Sequence, residues 1–282
     1  LISLKRGDKK RIKRNNKLYK KFSDHIGHIP LVIISPDDRN LIIEGSETRR
    51  KFIDGIISQT DKEYLNNLID YNKTLKQRNA LLKMFYDNSE NISKTIDIYD
   101  KQLSLDAQKI YEKRIKFLSE FIPIFKIRYR ELSNDKENVE IKHKSDISAD
   151  QNLYKLLKKN LEKDLRFQYT TTGIHKDDLN LNLDNFPIKK YGSQGQQKTF
   201  LIALKLAQFD YLSKLDSNPI LLLDDIFDKL DDTRVKQIIS LVNEEKFNQI
   251  FISDTNKKRS ENIIKKVNKS YKIFEIWKKS SL

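Results

Sequence analysis

The run Ile220-Leu221-Leu222-Leu223 ends on two carboxylates, Asp224-Asp225, and limits the possible folds more than any other stretch. Four apolar residues in a row are too few for a buried helix and do not alternate with polar ones. They read as a short, fully buried strand. Leu31-Val32-Ile33-Ile34 and Ile250-Phe251-Ile252 read the same way. An apolar strand that delivers carboxylates at its C-terminal end does so where open α/β sheets bind ligands. The first acid there can hold Mg²⁺ directly or through water, and the second can orient or deprotonate an attacking water. An ordinary strand ending in acidic turn residues gives the same pattern.

The flanking periods divide the chain. Residues 4–14 and 16–22 are expected as short strands, with turns at Gly7-Asp8 and Asn15-Asn16. From Ser46 the apolar spacing becomes helical. Ser46 is the expected cap of a helix through Arg49, Phe52, Ile53, Ile56 and Ile57. Asp61 opens a second helix, with Tyr64, Leu65, Leu68, Tyr71, Leu75 and Leu82 on one face. A third, over 94–132, places Leu103, Ile110, Ile115, Leu118, Phe121 and Ile122 inward, and Pro123 is expected to kink or divide it. A strand over 139–143 and a helix over 152–165, capped by Asp150, follow. Strands return with Leu179, Leu181 and Leu183 alternating with polar residues. Ser193 opens an apolar helix, Asp231 or Asp232 is expected to cap a helix over 233–242, and 271–277 alternates like a terminal strand. The expected architecture is α/β and two-lobed: 1–45 and 167–282 form a mixed-sheet lobe, and 46–166 form a helical lobe inserted into it.

With 55 Lys and Arg against 40 Asp and Glu, the chain carries a formal charge of +15. That surplus suits a polyanion such as nucleic acid; lysines on solvated faces are the alternative. No cysteine is present, which excludes disulfides and thiolate chemistry and fits a cytoplasmic protein. No apolar run approaches the roughly 18 residues of a membrane span. The four histidines are scattered without metal-ligand spacing, and the aromatics show no single-strand stacking pattern.

A second motif, Tyr191-Gly192-Ser193-Gln194-Gly195-Gln196-Gln197, stands before the apolar helix. Ser193 is placed as an N-cap, and a helix N-terminus with free N–H groups is a phosphate site. Alone it is also an ordinary glycine-containing cap. Followed by a helix, a strand ending in two acids and then Leu230-Asp231, it forms a specific constellation.

That constellation resembles the ABC-type ATPase head of chromosome-maintenance and DNA-repair proteins, and the wording around it resembles the RecF family. The resemblance rests on Thr172-Gly173-Ile174-His175-Lys176-Asp177-Asp178-Leu179, on Ser193-Gln194-Gly195-Gln196-Gln197-Lys198-Thr199, and on Leu222-Leu223-Asp224-Asp225-Ile226-Phe227-Asp228-Lys229-Leu230-Asp231. Ile34-Ser35-Pro36-Asp37-Asp38, Arg49-Arg50-Lys51-Phe52-Ile53-Asp54 and Lys76-Gln77-Arg78-Asn79-Ala80-Leu81-Leu82 extend it over nearly the whole chain. It implies a slow, switch-like ATPase that dimerises around ATP and Mg²⁺ on gapped or junction DNA and helps load RecA with RecO and RecR. By the same resemblance, Ser193, Gln194, Gly195 and Gln196 form a signature loop for the ATP of the opposite subunit. Asp224 would serve Mg²⁺, Asp225 would be the base, Asp231 the D-loop, and Asp37 or Asp38 the Q-loop-like position. Asp254 occupies the place of the usual switch histidine, which leaves Ser253 or Thr255 as alternatives.

No glycine in the chain is followed by lysine, so the phosphate loop Gly-x-x-x-x-Gly-Lys-[Ser/Thr] is not among its residues. The expectation is a fragment missing an upstream segment that carries this loop, unable to hold ATP stably alone. The rival readings are a non-enzymatic DNA- or partner-binding fragment and another SMC-like head. DNA-contact candidates are Lys9, Lys10, Arg11, Lys13 and Arg14 of the basic hairpin, with Arg49 and Arg50, which have nearby acids as alternative partners. His175 is expected in a structural turn or against nucleic acid.

Overall fold

The computed structural model describes residues 2–3, 11–84, 92–148, 151–215, 218–225, 240, 247–256, 261–262, 265 and 270–276. The chain opens with an antiparallel ribbon of β1 (Ile2–Ser3), β2 (Arg11–Arg14) and β3 (Lys17–Leu18). Asn15 and Asn16 turn it at φ 48° and 63°, the two-residue hairpin geometry that asparagine tolerates. Short 3₁₀ turns, Phe22–His25 and Pro36–Arg39, flank β4 (Leu31–Ile34), and α1 (Asn40–Ile43) follows. Next come the long helices α2 (Ser46–Thr60), α3 (Lys62–Met84) and α4 (Ile92–Ser133). The remaining elements are β5 (Val139–Lys144), α5 (Leu153–Lys159), α6 (Leu161–Phe167), β6 (Asp178–Leu183), β7 (Phe186–Pro187), α7 (Ile188–Tyr191), α8 (Gln194–Ser213), β8 (Ile220–Asp224) and β9 (Ile250–Ser253).

The three apolar runs do form one parallel sheet, in the order β4-β8-β9, with Leu31 opposite Ile220 and Leu221 opposite Ile250. Their burial is one-sided. Val32, Ile34, Leu221 and Leu223 are buried in the main core with α8, whereas Ile33 is 44% and Phe251 50% exposed. The expectation of fully buried strands therefore holds for the α8 face alone. The second sheet, β5-β6-β7, is antiparallel, and β5 pairs with β6 along its whole length, from Val139–Leu183 to Lys144–Asp178.

Several helix limits differ from expectation. Ser46 is the first residue of α2, not its cap; Gly45 is, because its backbone is the last extended one. Asp61 does cap α3, accepting from the Tyr64 N–H at 2.9 Å. Helix α4 continues for 42 residues with Pro123 inside it, so the proline does not divide it. A proline inside a helix costs about 3 kcal/mol. Burial of Phe121, Phe125 and Tyr129 offsets that cost at roughly 1.5–3 kcal/mol each. Phe125 and Tyr129 lie 4.8 and 5.8 Å from Phe200 of α8, ring centre to ring centre. Ile115 is 40% exposed, and Phe117 is buried instead.

The expected helix over 152–165 is two, because Asn160 leaves helical geometry at φ −96°, ψ 7°. Asn152 caps the first, accepting from the Tyr154 N–H at 2.7 Å, and Asp150 lies outside the described residues. Residues 270–276 have no regular structure, since among the described residues no strand pairs with them. Apart from Ser240, the helix expected over 233–242 lies outside the described residues, as do Asp231, Asp232 and Trp277.

Buried arginines join the helices to the loop before β6. Arg78 of α3 donates to Asp100 of α4 at 2.6 Å, to Asp164 of α6 at 2.7 Å and to the Thr170 hydroxyl at 2.8 Å. Arg114 of α4 grips Asp54 of α2 at 2.9 Å, Asp177 at 2.8 Å and the Ile174 carbonyl at 2.9 Å. Arg128 of α4 meets Asp210 of α8 at 2.5 Å. Burial works against the Arg114 charge, but Asp54, Tyr64 and Asp177 outweigh it and hold the guanidinium above its ordinary range. Burial raises the Asp100 carboxyl. Removing one member of such a pair leaves the others charged in a dry site. Arg114→Leu is expected to cost about 3–5 kcal/mol in urea unfolding. Lys113→Ala, which removes the half-exposed pair with Asp61, should cost under about 1 kcal/mol. Equal losses in the two variants would contradict the assignment of Arg114 as the anchor.

Candidate nucleotide-binding site

Ser193 caps α8 through a reciprocal box. The Gln196 N–H donates to Ser193 Oγ at 3.2 Å, and the Ser193 N–H donates to Gln196 Oε1 at 2.8 Å. Gln196 also reaches Glu137 at 2.9 Å, which ties the loop to the segment between α4 and β5. Gly192 precedes the cap because nothing larger fits: a Cβ there would lie 2.7 Å from the Ile188 side chain and 2.8 Å from its carbonyl oxygen. The box leaves the amides of Gln194 and Gly195 without helical acceptors by position. Ser193 and Gln194 are exposed and Gly195 is partly so. The result is an open helix N-terminus with a hydroxyl beside it, suited to an anion.

The parallel register sets Asp224 opposite Ser253. The Ser253 hydroxyl donates to Asp224 Oδ1 at 2.5 Å. Asp225 then leaves the strand at φ 47°, a left-handed conformation that Asp tolerates better than most residues, and its N–H donates to the Ser253 carbonyl at 3.0 Å. Of the three switch candidates, Ser253 touches Asp224. Asp254 accepts from the Asn256 N–H at 2.8 Å within its own turn, and Thr255 is exposed. A single exposed carboxylate suits Mg²⁺, which keeps waters and substrate phosphates among its ligands. Among the described residues no group of three or more His, Asp or Glu could enclose a metal.

At the end of β4, Asp38 accepts from the Ser35 N–H at 2.8 Å and pairs with Lys205 of α8 at 2.7 Å, while Asp37 is exposed. Gln194 and Lys205 stand about 16 Å apart along the axis of α8. The helix therefore holds one end of the sheet and presents Ser193 well away from that contact.

The DNA-contact candidates divide. Arg11, Lys13 and Arg14 lie exposed on β2, with Arg14 3.0 Å from His28 Nδ1; Lys9 and Lys10 lie outside the described residues. Arg49 and Arg50 follow the structural alternative. Arg49 makes a two-pronged pair with Asp178 at 2.6 and 3.1 Å and donates to two carbonyls, and Arg50 donates to the Asp177 carbonyl at 2.6 Å. His175 sits between the Tyr71 hydroxyl at 2.7 Å and the Thr170 carbonyl at 3.0 Å, a structural turn. The arginine network itself was not anticipated. Its signal is a charged residue at buried-face spacing, as in Tyr71, Thr74, Arg78 and Leu82 on α3.

No protein-family model matches the chain. The chain is 55% identical over 277 residues to the DNA replication and repair protein RecF of Flavobacterium johnsoniae, covering 98% of this chain and 77% of that protein. The RecF of Bacteroides thetaiotaomicron is 49% identical over 274 residues, with 97% and 73% covered. The chain belongs to the RecF family. Among solved structures, RecF with ATP in the RecFOR pathway superposes with a TM-score of 0.81 at 31% identity, covering 91% of this chain and 70% of that one. A second RecF nucleotide complex gives 0.80 at 30%. The fold is thus the ABC-type ATPase head of RecF, with a parallel sheet, an antiparallel sheet and a large helical part.

In this chain the segment from Thr170 to Asp178 is a scaffold. Gly173, at φ 127°, brings the backbone against Tyr71, where a Cβ would lie 2.8 Å from the hydroxyl. Burial pushes the His175 imidazole down to about 4, from an ordinary 6.5. As pH falls the unfolded chain therefore protonates first. The stability that His175 contributes is present above about pH 6.5 and is lost toward pH 4, by on the order of 2–3 kcal/mol. His175→Gln is expected to flatten that part of the stability profile in urea titrations at pH 7 and 4.5. An identical acid loss in both proteins would remove His175 as its source.

Proposed function

We propose that this chain is the head of a DNA-binding ATPase of recombinational repair and replication restart. Two copies join around ATP and Mg²⁺ on gapped or junction DNA and, with RecO and RecR, help load RecA. The observation that carries the reading is the open N-terminus of α8, with Ser193 capped and the Gln194 and Gly195 amides unclaimed. It is an anion site held some 16 Å along the helix from the Lys205–Asp38 contact, as a loop serving a neighbour's phosphate should be. Relatives solved as RecF–ATP complexes support the choice of nucleotide.

In this reading Ser193, Gln194, Gly195 and Gln196 meet the γ-phosphate of ATP on the opposite subunit. Asp224 holds Mg²⁺, Asp225 orients or deprotonates the attacking water, and Asp231 lies at the dimer contact. Asp38, or the exposed Asp37, couples the end of β4 to the nucleotide. Ser253, hydrogen-bonded to Asp224, is the best placed of the switch candidates to sense the γ-phosphate. The stretches 1–45 and 167–282 form the ATPase lobe and 46–166 the second lobe, in a cytoplasmic, nucleoid-associated protein. Arg11, Lys13 and Arg14 supply phosphate contacts with DNA, salt-sensitive and indifferent to sequence.

Two substitutions test the assignment in a chain supplied with the family's phosphate loop. Ser193→Arg should abolish ATP-dependent dimerisation in light scattering while nucleotide binding by the monomer stays intact; an unchanged dimer would remove Ser193 from its role. Asp225→Asn should slow ATP turnover about 100-fold or more and lengthen the life of the DNA-bound dimer. Normal turnover would show that another group activates the water.

A further inference from the structure

The turn that ends α6 gathers a surface the linear sequence does not reveal. Gln168 adopts a left-handed conformation, φ 59° and ψ 23°, and brings Phe167 and Tyr169 together with ring centres 5.9 Å apart. Both rings are exposed, at 44% and 43%. Each carries a cation: the Arg166 guanidinium lies 5.2 Å from the centre of the Phe167 ring, and Lys176 Nζ lies 4.8 Å from that of Tyr169. Neither cation has a carboxylate within 4 Å among the described residues, in contrast to Lys51, Lys101, Lys113, Lys142 and Lys158.

This segment is fastened along α3. Asn79 accepts from the Thr170 N–H at 2.8 Å, and Tyr71 meets His175 at 2.7 Å. Between those anchors α3 presents Lys73 and Lys76, both exposed and likewise without an acid partner among the described residues, along an open groove of about 570 Å³. Behind the turn, Thr171 is held by Asp164 at 2.8 Å and Thr170 by Arg78 at 2.8 Å. A single exposed aromatic is ordinary on a protein surface. Two exposed aromatics on a backbone fixed by a buried ion network, interleaved with cations that have no acid partner among the described residues and tied through Asn79 to the helix that presents Lys73 and Lys76, have the chemistry of a stacking platform beside a phosphate track.

We propose that Phe167 and Tyr169 stack the bases of single-stranded DNA, while Arg166, Lys176, Lys73 and Lys76 take its phosphates. The choice of DNA rests on the function proposed above; the preference for an unpaired strand rests on the rings alone, because a duplex offers no free base faces along its length.

The test uses the 282-residue chain with labelled dT20 and a 20-base-pair duplex in fluorescence anisotropy. Phe167→Ala with Tyr169→Ala should weaken dT20 binding at least about tenfold and leave duplex affinity and melting temperature unchanged. Lys73→Gln with Lys76→Gln should flatten the logarithmic salt dependence of dT20 binding by about 1.4. A dT20 oligomer carrying 5-iododeoxyuridine should photocrosslink to Phe167 or Tyr169 in the unaltered chain, a readout independent of how the variants fold. Unchanged dT20 affinity, or crosslinks only elsewhere, overturns the proposal. Duplex binding without dT20 binding overturns it and leaves the DNA-binding function standing; binding of neither overturns it together with the phosphate contacts assigned to Arg11, Lys13 and Arg14.

Discussion

Arg114 is the constraint on which the rest of the structure depends. One buried guanidinium joins Asp54 of α2, Asp177 before β6 and the Ile174 carbonyl, while Tyr64 of α3 lies 3.2 Å from its Nε. Three helices and the entry to a sheet therefore meet at one charge. A buried ion network is weak evidence for stability, since apolar packing can do as well, but it strongly fixes geometry once present. Here it sets the angle at which β6 leaves the helical part. β5 and β6 follow in register, and the Ser193 loop is tied back to the β5 side through Gln196 and Glu137.

The same network explains the wording of the chain. Arg49, Arg50, Asp54, Arg78, Asn79, Gly173, His175, Asp177 and Asp178 stand in motifs that look functional when read as text. In the fold they bind one another or neighbouring residues of the scaffold: Arg49 with Asp178, Arg50 with the Asp177 carbonyl, Asn79 with Thr170, and Asp54 with Arg114. The nucleotide roles proposed above fall to a smaller set at two ends, the α8 cap and the β8–β9 pair.

Features with a local cause were legible in the sequence. The Asn15-Asn16 turn, the Asp61 cap, the Ser193 cap and the β5, β6 and β8 strands all follow from near-neighbour chemistry. Features decided by distant packing were not. Pro123 is carried through α4 by aromatics buried against α8, and the break at Asn160 lets α6 reach Arg78. Ser253, Asp254 and Thr255 are equivalent switch candidates in the sequence, and the contact of Ser253 with Asp224 depends on the register of β8 and β9. The Phe167–Tyr169 pair is not legible in the sequence because it depends on a left-handed Gln168, a residue type with no marked preference for that conformation.

Helix α8 acts as a lever arm. Its interior is packed on nearly all sides, and Lys205 pins its middle to Asp38 at the end of β4. With Ser193 about 18 Å from that pivot, a rotation of roughly 5° swings the loop by about 1.6 Å. That exceeds the roughly 0.5 Å over which a hydrogen bond keeps its strength. In the function proposed above, a small adjustment where β4 ends would make or break the grip of Ser193 on an anion, so the rigidity of this one helix would convert ångström-scale events at the sheet into an all-or-none contact at its far end.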